Sequence, residues 1–224
     1  MITLLLTIIV HELGHLVGGL LTHYRFTMIE VLGVVLYRCG GRLRLRLERR
    51  LPLGQCLMHA PSLSANPGML ILGGCIANLF VGVGLLAAGM LVREFLLMLL
   101  LIYAGGINIL AGIANIIPES ATSDGATYRD AASDPVRAQI YNRLMEVYMH
   151  LENGEGYAGL PEDILAAPTL YDSTLAAELA VYRYYRLRDL SARDATLREE
   201  AKLMLLDLAR YRPETGIGEV LHGL

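Results

Sequence analysis

Residues 3–22 read TLLLTIIVHELGHLVGGLLT, an apolar run that is interrupted by two histidines and one glutamate. As a helix, residues 1–22 would extend about 33 Å, which is long enough to cross the hydrocarbon core of a bilayer. Ionisable side chains inside such a helix are costly unless they have partners. The stretch therefore predicts a first membrane-spanning helix in which His11, Glu12 and His15 form a functional group.

Hydrophobic residues make up 54% of the 224-residue chain, a share that is typical of a membrane protein. The first 118 residues carry eight Lys and Arg against four Asp and Glu, whereas the remainder carries eleven against eighteen. This asymmetry of charge predicts two parts: an intramembrane core over residues 1–125, and an acidic soluble domain over residues 126–224.

Two further uncharged stretches, 68–91 and 95–118, predict a second and a third membrane-spanning helix. The loop between the first and second spans contains seven arginines, whereas the loop between the second and third contains only Arg93. Short loops rich in Lys and Arg remain in the cytoplasm. The pattern thus predicts a multi-pass protein of the cell membrane, with its N-terminus outside and its C-terminus in the cytoplasm.

The loop after the first span predicts a β-hairpin over about residues 27–50. Residues 31–50 read VLGVVLYRCGGRLRLRLERR, in which Gly40-Gly41 is a turn signal and RLRLRL alternates with the two-residue period of a strand. Two interpretations stay open at this point. The hairpin is either a solvated ribbon at the lipid headgroups or a sheet edge that an extended substrate joins.

The pattern of residues 126–224, the tail of the chain, predicts a helical soluble domain. Asp134-Pro135 is a good helix start, because Asp is a preferred N-cap and Pro fits the first helical position, and this helix is expected to end near LENGEG. Apolar residues at helical spacing predict two more helices near 173–188 and 194–212. The predicted fold is therefore mostly α, with three transmembrane helices, a β-hairpin after the first and a C-terminal helical domain.

His11 and His15 stand four residues apart, so both imidazoles lie on one face of a helix and can reach one metal ion. In the H-E-x-x-H pattern, Glu12 is placed to take a proton from the attacking water of a zinc hydrolase. The three cysteines show no CxxC spacing. One zinc ion per chain is therefore expected, held by His and carboxylate side chains.

A catalytic zinc ion usually has three protein ligands, so a third ligand is needed. His23 stands two residues beyond the position of the third histidine in the metzincin pattern, and Glu30 lies in the hairpin region. Asp124 is the preferred candidate, because Pro118 lets the chain turn and an Asp124-Gly125 turn would aim the carboxylate toward the first span. Taken alone, this dipeptide is more typical of an ordinary surface turn.

Three motifs in this order closely resemble the site-2 protease family of intramembrane zinc metalloproteases. They are HELGH at 11–15, GGCIAN at 73–78, and N-x-x-P followed by SDG between 115 and 125. The resemblance covers the whole predicted membrane part. The chain departs from the family pattern where Cys75 replaces the usual proline, and where the interval from Pro118 to Asp124 is longer and lacks a second proline.

The resemblance implies a role for each matching residue. It makes Glu12 the catalytic base, and it implies that Asn78 and Asn115 position the substrate or order the helices. The zinc ligands that it implies are His11, His15 and Asp124.

The expected function is that of a zinc metalloendopeptidase that hydrolyses peptide bonds of membrane-spanning or membrane-associated substrates, as in regulated intramembrane proteolysis. The alternative is a non-proteolytic membrane protein that keeps zinc for a regulatory or scaffold role. A soluble zincin is excluded by the two long uncharged spans. The expected partners are a membrane protein or peptide substrate, the lipid bilayer, and either a cytoplasmic partner or a second copy of the chain bound through the tail. Nucleic acid is not among them.

Overall fold

A computed structural model describes residues 2–39, 41–48, 54–119, 123–166 and 174–190, together with the single residues 196, 199 and 203. The chain is mostly helical and has one small antiparallel sheet after its first helix. It divides into two compact units, Met1–Ser62 with Asn66–Ala132, and Leu63–Ala65 with Ser133–Leu224.

The first unit contains three long helices: α1 (Ile2–Leu21), α2 (Gly68–Leu91) and α3 (Phe95–Ile116). Each is long and apolar enough to cross a membrane, which confirms the three predicted helices. The third helix ends two residues before its predicted end. Ile117 is extended, with φ −73° and ψ 121°, because a residue that precedes proline disfavours the helical conformation.

Glycines allow these helices to approach each other closely. A Cβ on Gly14 of α1 would lie 2.6 Å from the Cβ of Ala77 on α2, closer than side chains can pack. Between α2 and α3, a Cβ on Gly82 would lie 2.9 Å from the carbonyl oxygen of Gly105. Small residues at these crossings let the backbones approach each other, a feature that is common where membrane helices pack.

The sheet contains four antiparallel strands in the order β3-β2-β1-β4. Their bounds are Arg25–Val31 for β1, Val34–Cys39 for β2, Arg42–Leu47 for β3 and Gly54–His59 for β4. The predicted hairpin is confirmed as β2 and β3, with Gly41 at φ +77°, whereas Gly40 lies outside the described residues.

The sequence prediction missed part of this sheet. A second tight turn joins β1 to β2, because Leu32 and Gly33 adopt φ values of 49° and 80° between the paired residues Val31 and Val34. Two consecutive positive φ values are typical of a type I′ hairpin turn. The fourth strand follows later in the chain and pairs with β1 rather than with its sequence neighbour β3.

A short helix that the sequence did not predict completes the first unit. This helix, α4 (Asp124–Ala131), packs against α2 and α3. The domain boundary expected after residue 125 therefore falls inside α4. The second unit consists of the short segment Leu63–Ala65 and of all residues from Ser133 onward. The contacts of α4 explain why it belongs with the helices that precede it.

The second unit is helical, as predicted. Its first helix, α5 (Pro135–Glu152), begins where the sequence indicates, and the Asp134 side chain accepts a hydrogen bond from the Val136 N–H at 2.6 Å. A short α6 (Glu162–Leu165) and α7 (Thr174–Leu190) follow, whereas the helix predicted near 194–212 lies mostly outside the described residues. The core of this unit is formed by Ile140, Leu144, Val147, Leu160, Leu165, Ala176 and Leu179.

Candidate metal centre

The two histidines of α1 meet on one face of the helix, as their spacing predicts. The Nε2 atoms of His11 and His15 lie 3.1 Å apart, and the two rings are nearly perpendicular. The Nδ1 atom of His15 lies 2.8 Å from the carbonyl oxygen of Leu70 on α2. A carbonyl accepts hydrogen bonds only, so Nδ1 carries the proton and Nε2 has a free lone pair for a metal ion.

Asp124 lies against the same two nitrogens. Its Oδ2 atom is 3.1 Å from His11 Nε2 and 3.5 Å from His15 Nε2. Burial opposes the charge on this carboxylate, but the hydrogen bond that His11 donates and the positive charge of each imidazole in its protonated form hold the pKa of Asp124 below its usual value. Asp124 is therefore a carboxylate at neutral pH, which is the form that ligates metals.

The local conformation around Asp124 differs from the predicted turn. Asp124 and Gly125 are the first two residues of α4, because the Ser123 hydroxyl caps this helix by accepting from the Ala126 N–H at 3.2 Å. A Cβ on Gly125 would overlap the carbonyl group of Ile116 at the end of α3. The Ser-Asp-Gly sequence thus supplies a cap, a carboxylate and a close contact between helices.

The three facing atoms match the geometry of a tetrahedral zinc site. Zinc binds imidazole nitrogen and carboxylate oxygen at about 2.0–2.1 Å, which places neighbouring ligand atoms of a tetrahedron about 3.3 Å apart. The sides of the triangle formed by His11 Nε2, His15 Nε2 and Asp124 Oδ2 measure 3.1, 3.1 and 3.5 Å. Two histidines and one carboxylate are a ligand set that zinc accepts, and they leave a fourth position open.

Glu12 is a second buried carboxylate at this site. It is 6% exposed, and ligand atoms of His11, Glu12 and His15 all lie within 4.8 Å of one another. Both carboxylates are therefore within reach of a metal ion. The Asp124 oxygen completes the more compact triangle, so the geometry favours Asp124 as the ligand and leaves Glu12 beside the site.

Gly54 makes room for Glu12 and was not identified from the sequence. A Cβ at this first residue of β4 would lie 2.6 Å from Glu12 Cδ and 2.7 Å from Cγ. A glycine in a strand often marks the close approach of another group, and this was the available signal. The strand β4 therefore borders the candidate site directly.

The helix α2 lines the opposite side through the middle motif. A Cβ on Gly74 would lie 2.6 Å from His15 Nε2, so glycine leaves space for the imidazoles. Asn78 is 1% exposed, and its Nδ2 lies 3.2 Å from His11 Nδ1. The next residue after Gly74, Cys75, donates through its Sγ to Asp124 Oδ2 at 3.2 Å. No local sequence pattern indicates this contact, because the two residues are 49 positions apart.

The remaining candidates are not brought into the cluster. Asn115 is half-buried near the end of α3. It takes no part in the hydrogen bonds given above for His11, His15 and Asp124. His23 is exposed in the turn after α1. Glu30 pairs with Gln55, one position along from the pair formed by Val31 and Gly54, so its side chain lies on the other face of the sheet.

No family model, curated protein sequence or solved structure matches the chain.

Proposed function

We propose that the chain is an integral membrane zinc metalloendopeptidase of the site-2 protease type, inserted through α1, α2 and α3. The observation that carries this proposal is the triangle of His11 Nε2, His15 Nε2 and Asp124 Oδ2, with the carboxylate of Glu12 beside it. Isolated ionisable groups would be costly in an apolar helix, whereas a shared metal ion compensates both histidines.

The residues of the chain divide the work of peptide hydrolysis. His11, His15 and Asp124 would hold zinc, which when bound polarises the scissile carbonyl and lowers the pKa of the attacking water. Glu12 takes the proton from that water and delivers it to the leaving amine. The carbonyl of Leu70 keeps His15 in the tautomer that ligates through Nε2.

The edge of the sheet beside Glu12 supports an extended peptide as substrate. Within the described residues, β4 pairs only with β1, so its other edge keeps the backbone groups that a peptide strand can join. Gly54 is the first residue of this strand, and it lies directly against the side chain of Glu12. We therefore favour the edge of β4 over the predicted hairpin as the place where an unwound substrate lies.

The sheet face that contains Gly54 also favours an apolar substrate segment. Gly54 pairs with Val31, Val31 with Val34, and Val34 with Leu47, so all four residues lie on one face. Along this row the side chains become more exposed, from half-buried Val31 to 45% at Val34 and 74% at Leu47. An apolar surface of this kind suits a substrate that comes from the bilayer.

The test of this function uses Glu12→Gln in the full chain, with exposed Glu119→Gln as the control. Gln keeps the size of the side chain but cannot take a proton from water, so we expect normal zinc content and a loss of about 100- to 10,000-fold in turnover. Zinc analysis and proteomics of membrane peptides measure both. A wild-type protein without zinc, or normal cleavage by Glu12→Gln, would refute the proposed mechanism.

The orientation in the membrane is part of this proposal, because the arginine-rich segment 23–67 is expected in the cytoplasm. Reporters fused after residue 60 and at the C-terminus should both report the cytoplasm, and one at residue 93 the outside. The tail would then be available to a cytoplasmic partner or to a second copy. A reporter at residue 60 found outside would reverse the orientation.

A further inference from the structure

Cys75 is fully buried on α2, at 0% exposure, and its thiol faces a candidate zinc ligand rather than apolar side chains alone. The Sγ atom lies 3.2 Å from Asp124 Oδ2, which is the oxygen that also approaches both imidazoles. A free cysteine carries one weak donor, the S–H group, and an ionised carboxylate only accepts. The contact is therefore a hydrogen bond from the thiol to Asp124.

The backbone and the side chain of Asp124 are held by different elements. Ser123 caps α4, and Gly125 packs against the end of α3, so the backbone position is set by those contacts. Neither contact fixes the rotation of the carboxylate about its own side-chain bonds. The thiol of Cys75 comes from α2 and meets the carboxylate itself, which is the part that must be oriented for metal binding.

We propose that Cys75 is a positioning residue of the metal centre, and that its S–H group holds Asp124 in the orientation in which Oδ2 ligates zinc. This inference rests on the proposed zinc site. Groups that orient metal ligands through hydrogen bonds typically contribute 10- to 100-fold to metal affinity. Because a thiol is a weak donor, the contribution of Cys75 is expected at about tenfold, the lower end of that range.

The test measures zinc affinity by competition with a chelator in the full chain, purified in detergent. Cys75→Ala removes the donor, whereas Cys75→Ser replaces it with a hydroxyl donor. Exposed Cys39→Ala controls for the loss of a thiol elsewhere. Cys75→Ala should bind zinc about tenfold more weakly, Cys75→Ser should regain most of the affinity, and Cys39→Ala should match the wild type.

A spectroscopic measurement tests the hydrogen bond without activity or bound metal. The S–H stretching band of Cys75, identified by its loss in Cys75→Ala, should lie at the lower frequency of a hydrogen-bonded thiol in the metal-free protein. Asp124→Asn weakens the acceptor, so the band should move to higher frequency. An unshifted band in this variant would overturn the inference.

The outcomes separate this inference from the zinc site itself. Equal zinc affinity of the wild type and Cys75→Ala overturns the role of Cys75 and leaves the zinc site intact. The same conclusion follows if Cys75→Ala and Cys75→Ser weaken zinc binding equally. A thiolate-to-metal band in the cobalt-substituted protein that Cys75→Ala abolishes would make Cys75 a ligand and also overturn the inference. A wild-type chain that binds no zinc refutes the site and the inference together.

Discussion

The helices α1 and α4 build opposite sides of the candidate metal centre in different ways. Within five consecutive residues, α1 supplies two imidazoles and a carboxylate, so helical geometry alone sets their spacing. By contrast, α4 supplies one carboxylate, and its position depends on contacts with α2 and α3 that lie far away in the sequence. The α4 side should therefore respond to substitutions that never touch a ligand.

The difference has a physical cause. A helix inside an apolar bundle is a rigid element whose internal hydrogen bonds do not depend on its neighbours. The eight-residue α4 is too short to be stable alone, so its cap and its packing decide where Asp124 lies. The candidate site thus combines a locally determined half with a half that tertiary structure determines.

The largest expected effect comes from removing the ligand on the α4 side. Asp124→Ala deletes one vertex of the triangle and should weaken zinc binding by more than about 100-fold, beyond the loss typical of supporting contacts. Metal analysis and chelator competition on the purified chain measure this loss. Cleavage should fall with it, because His11 and His15 alone give an incomplete site.

Glu119→Ala is the matched control, since Glu119 is an exposed carboxylate in the connection between α3 and α4. It should leave zinc affinity at the wild-type value. Full zinc affinity in Asp124→Ala would remove α4 from the site, and Glu12 would become the third ligand, since its carboxylate is also within reach.

The same contrast explains how much the sequence could predict. The three apolar helices and the H-E-x-x-H motif follow from local spacing, and the structure confirms the helices and the meeting of His11 with His15. The order of motifs located Asp124, but its conformation was predicted as a turn. The Ser123 cap is a local signal that the prediction missed, whereas the packing of α4 against α2 and α3 is a tertiary feature. Cys75 stands 49 residues before Asp124, so no local pattern announces their contact.

The sheet shows the same limit. The strand β3 has clear alternation and was predicted, whereas β4, GQCLMH, has a weak pattern and gains its identity from pairing with β1. Strand propensity depends on the neighbours against which the side chains pack. Gly54 therefore entered the candidate site only once the pairing of β4 was known.

An intermediate effect is expected from Gly54→Ala, which tests the α1 side without changing any of its residues. The added Cβ would overlap the carboxylate of Glu12, which has to rotate away. Displacing a catalytic group by about 1 Å can cost about 100-fold in rate, so kcat/KM should fall by that order. Zinc affinity should stay near the wild-type value, because the triangle formed by His11, His15 and Asp124 is not touched.

Measuring kcat/KM and zinc affinity in the same preparation of Gly54→Ala distinguishes a Glu12 that acts as the catalytic base from a Glu12 that binds the metal. Gly106→Ala is the control, because a Cβ on this helical glycine meets nothing within 4 Å. Loss of zinc in Gly54→Ala would mean that Glu12 acts as a ligand. Unchanged turnover would show that the position of its carboxylate is not critical.

The smallest effect is expected from Gly125→Ala, which tests whether packing positions the carboxylate of α4. The new Cβ would meet the backbone carbonyl of Ile116, and a backbone group cannot rotate away as a side chain can. The helix α4 must therefore shift, which moves Asp124 relative to the imidazoles, and zinc affinity should fall by about tenfold. Gly106→Ala is again the control, because it adds a methyl group to a helix without a contact, and chelator competition measures the zinc affinity of both variants.

Together, Gly54→Ala and Gly125→Ala should separate the two sides of the site. Gly54→Ala lowers turnover and leaves zinc affinity unchanged, whereas Gly125→Ala weakens zinc binding. Wild-type affinity in Gly125→Ala would show that α4 adapts to the added methyl group, and the contrast between a locally determined and a packing-determined half would be wrong.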